Sequence, residues 1–250
     1  MIQSPTLKVL STMQKHQVKA LLMGGQACVW YGAAEFSRDT DLLVRVENEN
    51  LERLRRALDE LRAECIAVPP FESRYLERGH AIHFRCHHPD AEGLRVDIMS
   101  KMRSVAPFSD LWVRRETLQD EAGNTYELLS LPDLVRAKKT QREKDWPMVR
   151  RLVEAHYLQH RNTPNTAQIE FWFTELRTPE FLVLHAATFP EHCRRIMEPR
   201  PLLEAALTGD TERLARELNA EAAKEGAADR EYWAPLKREL QELRRNPRIN

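Results

Sequence analysis

The chain reads as an α+β fold, a β-sheet flanked by helices and followed by a helical C-terminal region, and three observations predict it. Short apolar runs at residues 18–23, 41–46, 82–86, 94–99 and 125–129, bounded by glycine or polar turns, have the length and composition of strands. Between them, Leu51, Leu54, Leu58 and Leu61 recur at helical spacing, with Arg53, Arg55, Arg56 and Asp59 on the wet face. After residue 129 the pattern is helical throughout. With 250 residues, 42% of them hydrophobic, the chain can bury one large core or two smaller ones.

Taken in order, residues 6–16 predict an amphipathic helix with Leu7, Leu10 and Met13 on one face, and the strand at 18–23 leads into a helix at 26–31 stopped by Gly32. The strand at 41–46 runs into the helix of residues 51–62. The runs at 82–86 and 94–99 predict antiparallel strands joined by the turn-rich loop His87 to Gly93. Pro132, placed after Ser130, starts one helix, and Pro147 marks a new helix or a kink. The polar, proline-bearing Thr163-Pro164-Asn165-Thr166 marks a boundary near residue 160, beyond which short helices are expected at 169–176, 181–187, 202–207, 211–222 and 232–244. The organisation expected is a core over 1–105, a core-completing strand with basic helices over 106–160, and a helical C-terminal region over 161–250.

The chemistry concentrates between residues 21 and 44. Met23-Gly24-Gly25-Gln26 follows an apolar run, and Arg38-Asp39-Thr40-Asp41-Leu42-Leu43-Val44 comes shortly after. Residues i and i+2 of a strand share a face, so Asp39 and Asp41 present two carboxylates together while Thr40 points the other way. Adjacent carboxylates repel unless a cation lies between them, and hard oxygen donors suit Mg²⁺ (or Mn²⁺). Gly24 and Gly25, without a Cβ, let backbone approach a phosphate closely, and a helix opening at Gln26 directs N–H groups at an anion. Each half alone is a common structural device; both in one strand-helix-strand unit predict a metal-dependent nucleotide site.

These motifs resemble the nucleotidyltransferase superfamily, the DNA polymerase β-like fold, whose signature is a Gly-Gly or Gly-Ser turn, then Asp-x-Asp on the next strand, then a third carboxylate on a later one. Leu94-Arg95-Val96-Asp97-Ile98-Met99 supplies a candidate third, Asp97. The resemblance implies a core built on a mixed β-sheet, with Asp39, Asp41 and Asp97 as catalytic and metal-binding residues and Gly24, Gly25, Gln26 and Arg38 at the nucleotide. Downstream, Leu129-Ser130-Leu131-Pro132-Asp133-Leu134-Val135-Arg136-Ala137-Lys138-Lys139 followed by Arg142-Glu143-Lys144-Asp145 resembles the segment after the core in AbiEii-like nucleotidyltransferases, toxin components of toxin-antitoxin and phage-defence systems. By position, Lys138 or Lys139, then Lys144 and Asp145, inherit roles at the triphosphate. That family often has a second Asp three residues after Lys-Asp, and this chain has Met148 there. The resemblance spans residues 18–155; nothing nameable matches the C-terminal hundred residues.

Composition bounds the partners. Formal net charge is zero, yet residues 130–161 hold eight Lys/Arg against four Asp/Glu, so positive charge is local and duplex nucleic-acid binding is not implied. Cys28, Cys65, Cys86 and Cys193 contain no close pair, which fits free thiols in a reducing cytoplasm; Cys28 reads as a packed helix residue rather than a nucleophile. His80, His83, His87 and His88 cluster without a Cys or His partner at zinc spacing, and read as solvated loop histidines. No apolar run is long enough to span a membrane, and Met1-Ile2-Gln3-Ser4-Pro5 lacks the basic start and apolar core of a signal peptide, so a cytoplasmic protein with no membrane partner is expected. The aromatic group Phe171, Trp172, Phe173, Phe181 and Phe189 reads as helix packing in preference to base stacking.

The function expected is therefore transfer of a nucleoside monophosphate from an NTP to an acceptor hydroxyl with release of pyrophosphate. The acceptor classes left open are tRNA or other RNA, a protein, and a small molecule such as an antibiotic, and the toxin resemblance implies a cognate antitoxin partner. A different class, a nucleotidyltransferase-shaped binding module without turnover, remains the alternative.

Overall fold

A computed structural model describes residues 4–119 and 123–245; Met1 to Gln3 of the N-terminal stretch read for a signal peptide lie outside the described residues. The chain forms two compact units. One runs up to Ala137 and resumes at Glu231, and the other is Lys138–Arg230.

The first unit is built on a seven-stranded mixed sheet in the order β3-β4-β5-β2-β1-β7-β6. Its elements are α1 (Ser4–Lys15), β1 (Ala20–Met23), α2 (Gly24–Trp30), β2 (Asp39–Val44), α3 (Asn48–Glu60), β3 (Glu64–Cys65), α4 (Ser73–Arg78), β4 (Ile82–Arg85), β5 (Arg95–Met99), α5 (Phe108–Val113), β6 (Glu116–Gln119), β7 (Thr125–Leu128) and α6 (Leu131–Lys138), whose last residue passes into the second unit. The central pair β2–β5 is parallel, and β1 is antiparallel to β2 and parallel to β7. The expected hairpin of β4 and β5 is antiparallel, with His83 opposite Asp97. Thus the fold is α+β with a mixed sheet.

Alternation on β2 decides what each face of the sheet carries. Thr40 is fully buried and its hydroxyl lies 3.3 Å from that of Thr6 on α1, so α1 covers the Thr40 face. By the pleat, Asp39 and Asp41 occupy the opposite face and are half-buried. Asn50, buried at the start of α3, locks this register: its Oδ1 accepts from the Lys19 amide at 2.7 Å, and its Nδ2 donates to the carbonyls of Lys19 and Arg45 at 3.1 and 2.8 Å. One polar side chain thereby satisfies backbone groups at the open ends of both β1 and β2.

The second unit is helical: α7 (Asp145–His160), α8 (Thr166–Glu175), α9 (Pro179–Thr188), α10 (Pro190–Ile196), α11 (Leu203–Thr208) and the first part of α12 (Thr211–Arg245). The proline-bearing break at 163–166 lies inside this unit, where Asn165 caps α8 through a reciprocal pair of hydrogen bonds with Gln168. The aromatic residues form its core. Trp172 and Phe173 are fully buried, Tyr157 meets Trp172 edge-on at 5.1 Å, and His185 lies 4.2 Å from Phe173.

Two helices expected at 211–222 and 232–244 are one continuous helix that passes through Pro235. The intervening Ala223-Lys224-Glu225-Gly226-Ala227-Ala228-Asp229-Arg230 is dominated by strong helix formers, so the missing N–H of a single proline does not end the helix. The charged segment after residue 231 has specific partners within the first unit. His80, 1% exposed, hydrogen-bonds Glu239 at 2.8 Å, and Arg78 pairs with the same carboxylate.

Candidate active site

The site begins with the Gly-Gly turn. Gly24 sits at φ +68°, a left-handed conformation that glycine adopts without penalty, and a Cβ there would lie 1.8 Å from Asp41 Oδ2. A Cβ on Gly25 would lie 2.3 Å from the Ser37 hydroxyl. Both glycines are therefore required by close approach: the β1–α2 turn is laid directly over the Asp41 carboxylate, with the Gly25 amide 3.4 Å from Oδ2. Gln26 is buried, and its side-chain amide donates to the Ser37 carbonyl at 2.9 Å, while the Ser37 hydroxyl donates to the Asp39 carbonyl at 3.2 Å. The Gln26 side chain thus fastens the loop that enters β2, leaving only its backbone to meet a ligand. Arg38 is exposed at the mouth of that strand.

Asp39, Asp41 and Asp97 share one sheet face. Across the parallel pair, Asp41 is in register with Asp97 and Asp39 with Arg95. Arg95, two residues before Asp97, lies on the same face, and His83 comes to it from β4. Asp97 Oδ1 accepts from Arg95 Nε at 2.7 Å and contacts His83 Nδ1 at 2.8 Å, while Arg95 Nη2 lies 3.0 Å from the same His83 nitrogen. Burial works to raise the Asp97 pKa, but the hydrogen bonds and charges of His83 and Arg95 outweigh it and hold the carboxyl below the usual range. The Arg95 pKa is raised first by its hydrogen bond to Asp97, against some desolvation, and then by the charges of Asp97, Asp39 and Asp41. One guanidinium thus feels all three carboxylates.

Carboxylate oxygens are hard donors that suit a divalent cation, and three carboxylates share this face, Asp41 in register with Asp97, beneath a turn with no Cβ in the way. Asp97 Oδ1 is engaged by Arg95 and His83. Among the described residues no group of three or more His, Cys, Asp or Glu side chains stands close enough together to hold a metal ion.

The structure therefore brings Gly24, Gly25, Gln26, Arg38, Asp39, Asp41 and Asp97 together in the first unit. Lys138, Lys139, Lys144 and Asp145 belong to the second. There Lys138 lies 3.7 Å from Asp145, which also accepts from Thr140 at 2.5 Å and Arg142 at 2.7 Å. Lys139 donates to the buried Glu175 at 2.9 Å, and Lys144 is exposed. Two residues of the site escaped sequence reasoning. Arg95 was detectable, since period-two alternation puts it on the face of Asp97; His83 required the β4–β5 register. A cavity lined by Leu10, Met13, Leu22, Leu42 and Trp112 lies on the α1 side of the sheet, away from the carboxylates.

The chain matches no protein-family model. No curated protein matches it either. Among the described residues no helix is long and apolar enough to cross a membrane.

Proposed function

We propose that this protein is a metal-dependent nucleotidyltransferase that moves a nucleoside monophosphate from an NTP to an acceptor hydroxyl. The observation that carries the reading is the in-register pairing of Asp41 with Asp97, with Asp39 on the same face and a glycine turn closed over Asp41. Asp39 and Asp41 would hold Mg²⁺ or Mn²⁺, and Asp97 would complete the set. A bound divalent cation supplies neutralisation of the charge that develops on the transferred phosphoryl group and its leaving group.

The chain's own residues do the rest. The attacking hydroxyl oxygen bonds to the α-phosphorus, its proton passing to solvent water, as the bond to pyrophosphate breaks, so the protein must hold the attacking and leaving oxygens in line. The Gly24–Gly25 backbone, free of side chains, and the exposed Arg38 are the groups offered to the triphosphate. Asp97, held ionised below the usual carboxylate range, is a weak base at neutral pH. With one oxygen held by Arg95 and His83, it would serve as a fixed negative charge that positions the reacting groups.

A second reading, a binding module of this fold without turnover, draws support from Arg95, which already compensates Asp97. Calorimetry with ATP and GTP, with and without Mg²⁺, tests the metal-dependent reading. Binding that needs Mg²⁺ supports it; equal affinity in excess EDTA removes the metal site from the account.

A further inference from the structure

Arg95 has no part in the chemistry above, yet its guanidinium lies against the carboxylate cluster. Its Nε lies 2.7 Å from Asp97 Oδ1, and its backbone is in register with Asp39. A guanidinium does not lose its proton in proteins, so this positive charge cannot be removed by deprotonation. A second cation ligated by Asp97 would meet it at close range, whichever of the two carboxylate oxygens it took. Repulsion between unit charges a few ångströms apart is large except in bulk water.

Which partner yields follows from burial and stem length. The Asp97 side chain is 14% exposed and sits in mid-strand between the buried Val96 and Ile98. The Arg95 side chain is 40% exposed on a long flexible stem, and its other contact is the His83 imidazole from β4. Arg95 can rotate into water while Asp97 keeps its place.

We propose that Arg95 is a resident counter-cation of the three-carboxylate cluster, and that a divalent cation is ligated by Asp97 only when it displaces the guanidinium. The inference rests on the metal-dependent reading. In the metal-free protein Arg95 neutralises part of the repulsion among Asp39, Asp41 and Asp97, which keeps the face stable. When a cation binds, the two positive charges compete, so Arg95 lowers metal affinity as the condition of that stability.

The test is a Mn²⁺ titration by calorimetry on the full chain, in the wild type, Arg95→Met and Arg95→Lys, with melting curves in EDTA and in Mn²⁺. Arg95→Met keeps the stem and deletes the charge. It should bind Mn²⁺ more tightly, by roughly tenfold, melt lower than wild type in EDTA, and regain the difference in Mn²⁺. Arg95→Lys, which keeps a charge, should stay close to wild type in affinity. Equal or weaker Mn²⁺ binding by a folded Arg95→Met, with wild type binding normally, overturns this inference and leaves the proposed function standing. Absence of Mn²⁺ binding in all three folded proteins overturns both. If Arg95→Met does not fold, Arg95→Gln replaces it, with the same outcomes.

Discussion

Asp41 and Asp97 stand in register on the adjacent parallel strands β2 and β5, so two carboxylates from distant parts of the chain share one row of the sheet. Such a row is repulsive on its own. It is compensated by Arg95 and His83 on Asp97 and covered by the glycine turn above Asp41.

The turn gives the first prediction. Gly24→Ala forces a side chain into a left-handed backbone and drives its Cβ onto Asp41 Oδ2. A loss of about 1–3 kcal/mol in stability is expected from the backbone conformation alone, together with loss of metal-dependent NTP binding. Urea denaturation and calorimetry check both. A variant as stable as wild type would mean that the turn relaxes freely.

The basic segment gives the second. Glu175 is 5% exposed on its side chain and Lys139 is hydrogen-bonded to it. Lys139→Ala removes the hydrogen-bonded cation from a buried carboxylate and leaves it the charge of Arg177, for an expected loss of about 1.5–3 kcal/mol. Lys138→Ala should cost less, about 1 kcal/mol, because Asp145 keeps Arg142 and Thr140. Chemical denaturation of the two variants measures the difference, and equal costs would contradict the pairing.

Acid stability supplies the third. Burial tends to raise the Asp133 pKa, but hydrogen bonds from Arg114, in a two-pronged pair at 2.6 and 2.9 Å, and from Ser130 at 2.7 Å lower it overall. The folded pKa lies below the unfolded one, so this contribution is complete above the unfolded carboxylate pKa and is lost as pH falls through the folded value. Asp133→Asn should therefore lose stability at neutral pH and show a shallower decline toward low pH. Denaturation midpoints measured from pH 7 downward test it; an unchanged acid slope would contradict it.

These residues also show what the sequence makes legible. The strands around Asp39, Asp41 and Asp97 could be read because alternation and glycine punctuation are local signals, and the buried Thr40 confirms the alternation. The two-residue β3 and the six-residue α4 and α5 are too short to establish a period, and β6, Glu116-Thr117-Leu118-Gln119, has a single apolar residue to show one. Sheet order is a matter of long-range pairing, which is why His83 came to Asp97 unannounced. Tyr157, Trp172 and His185 meet through three helices, and their spacing along the chain records only that each is apolar-facing.

The central claim, that Asp39, Asp41 and Asp97 form a metal-dependent transfer site, is tested most directly by one experiment. Each α-labelled NTP is incubated with Mg²⁺ and cell lysate, in the presence of wild type or of Asp41→Asn, and label is followed into RNA, protein and small molecules. Asparagine keeps the shape of Asp41 and removes the charge needed to hold Mg²⁺, while relieving repulsion in the metal-free protein. The account predicts transfer by the wild type and none by a folded Asp41→Asn; wild-type transfer by that folded variant would contradict it.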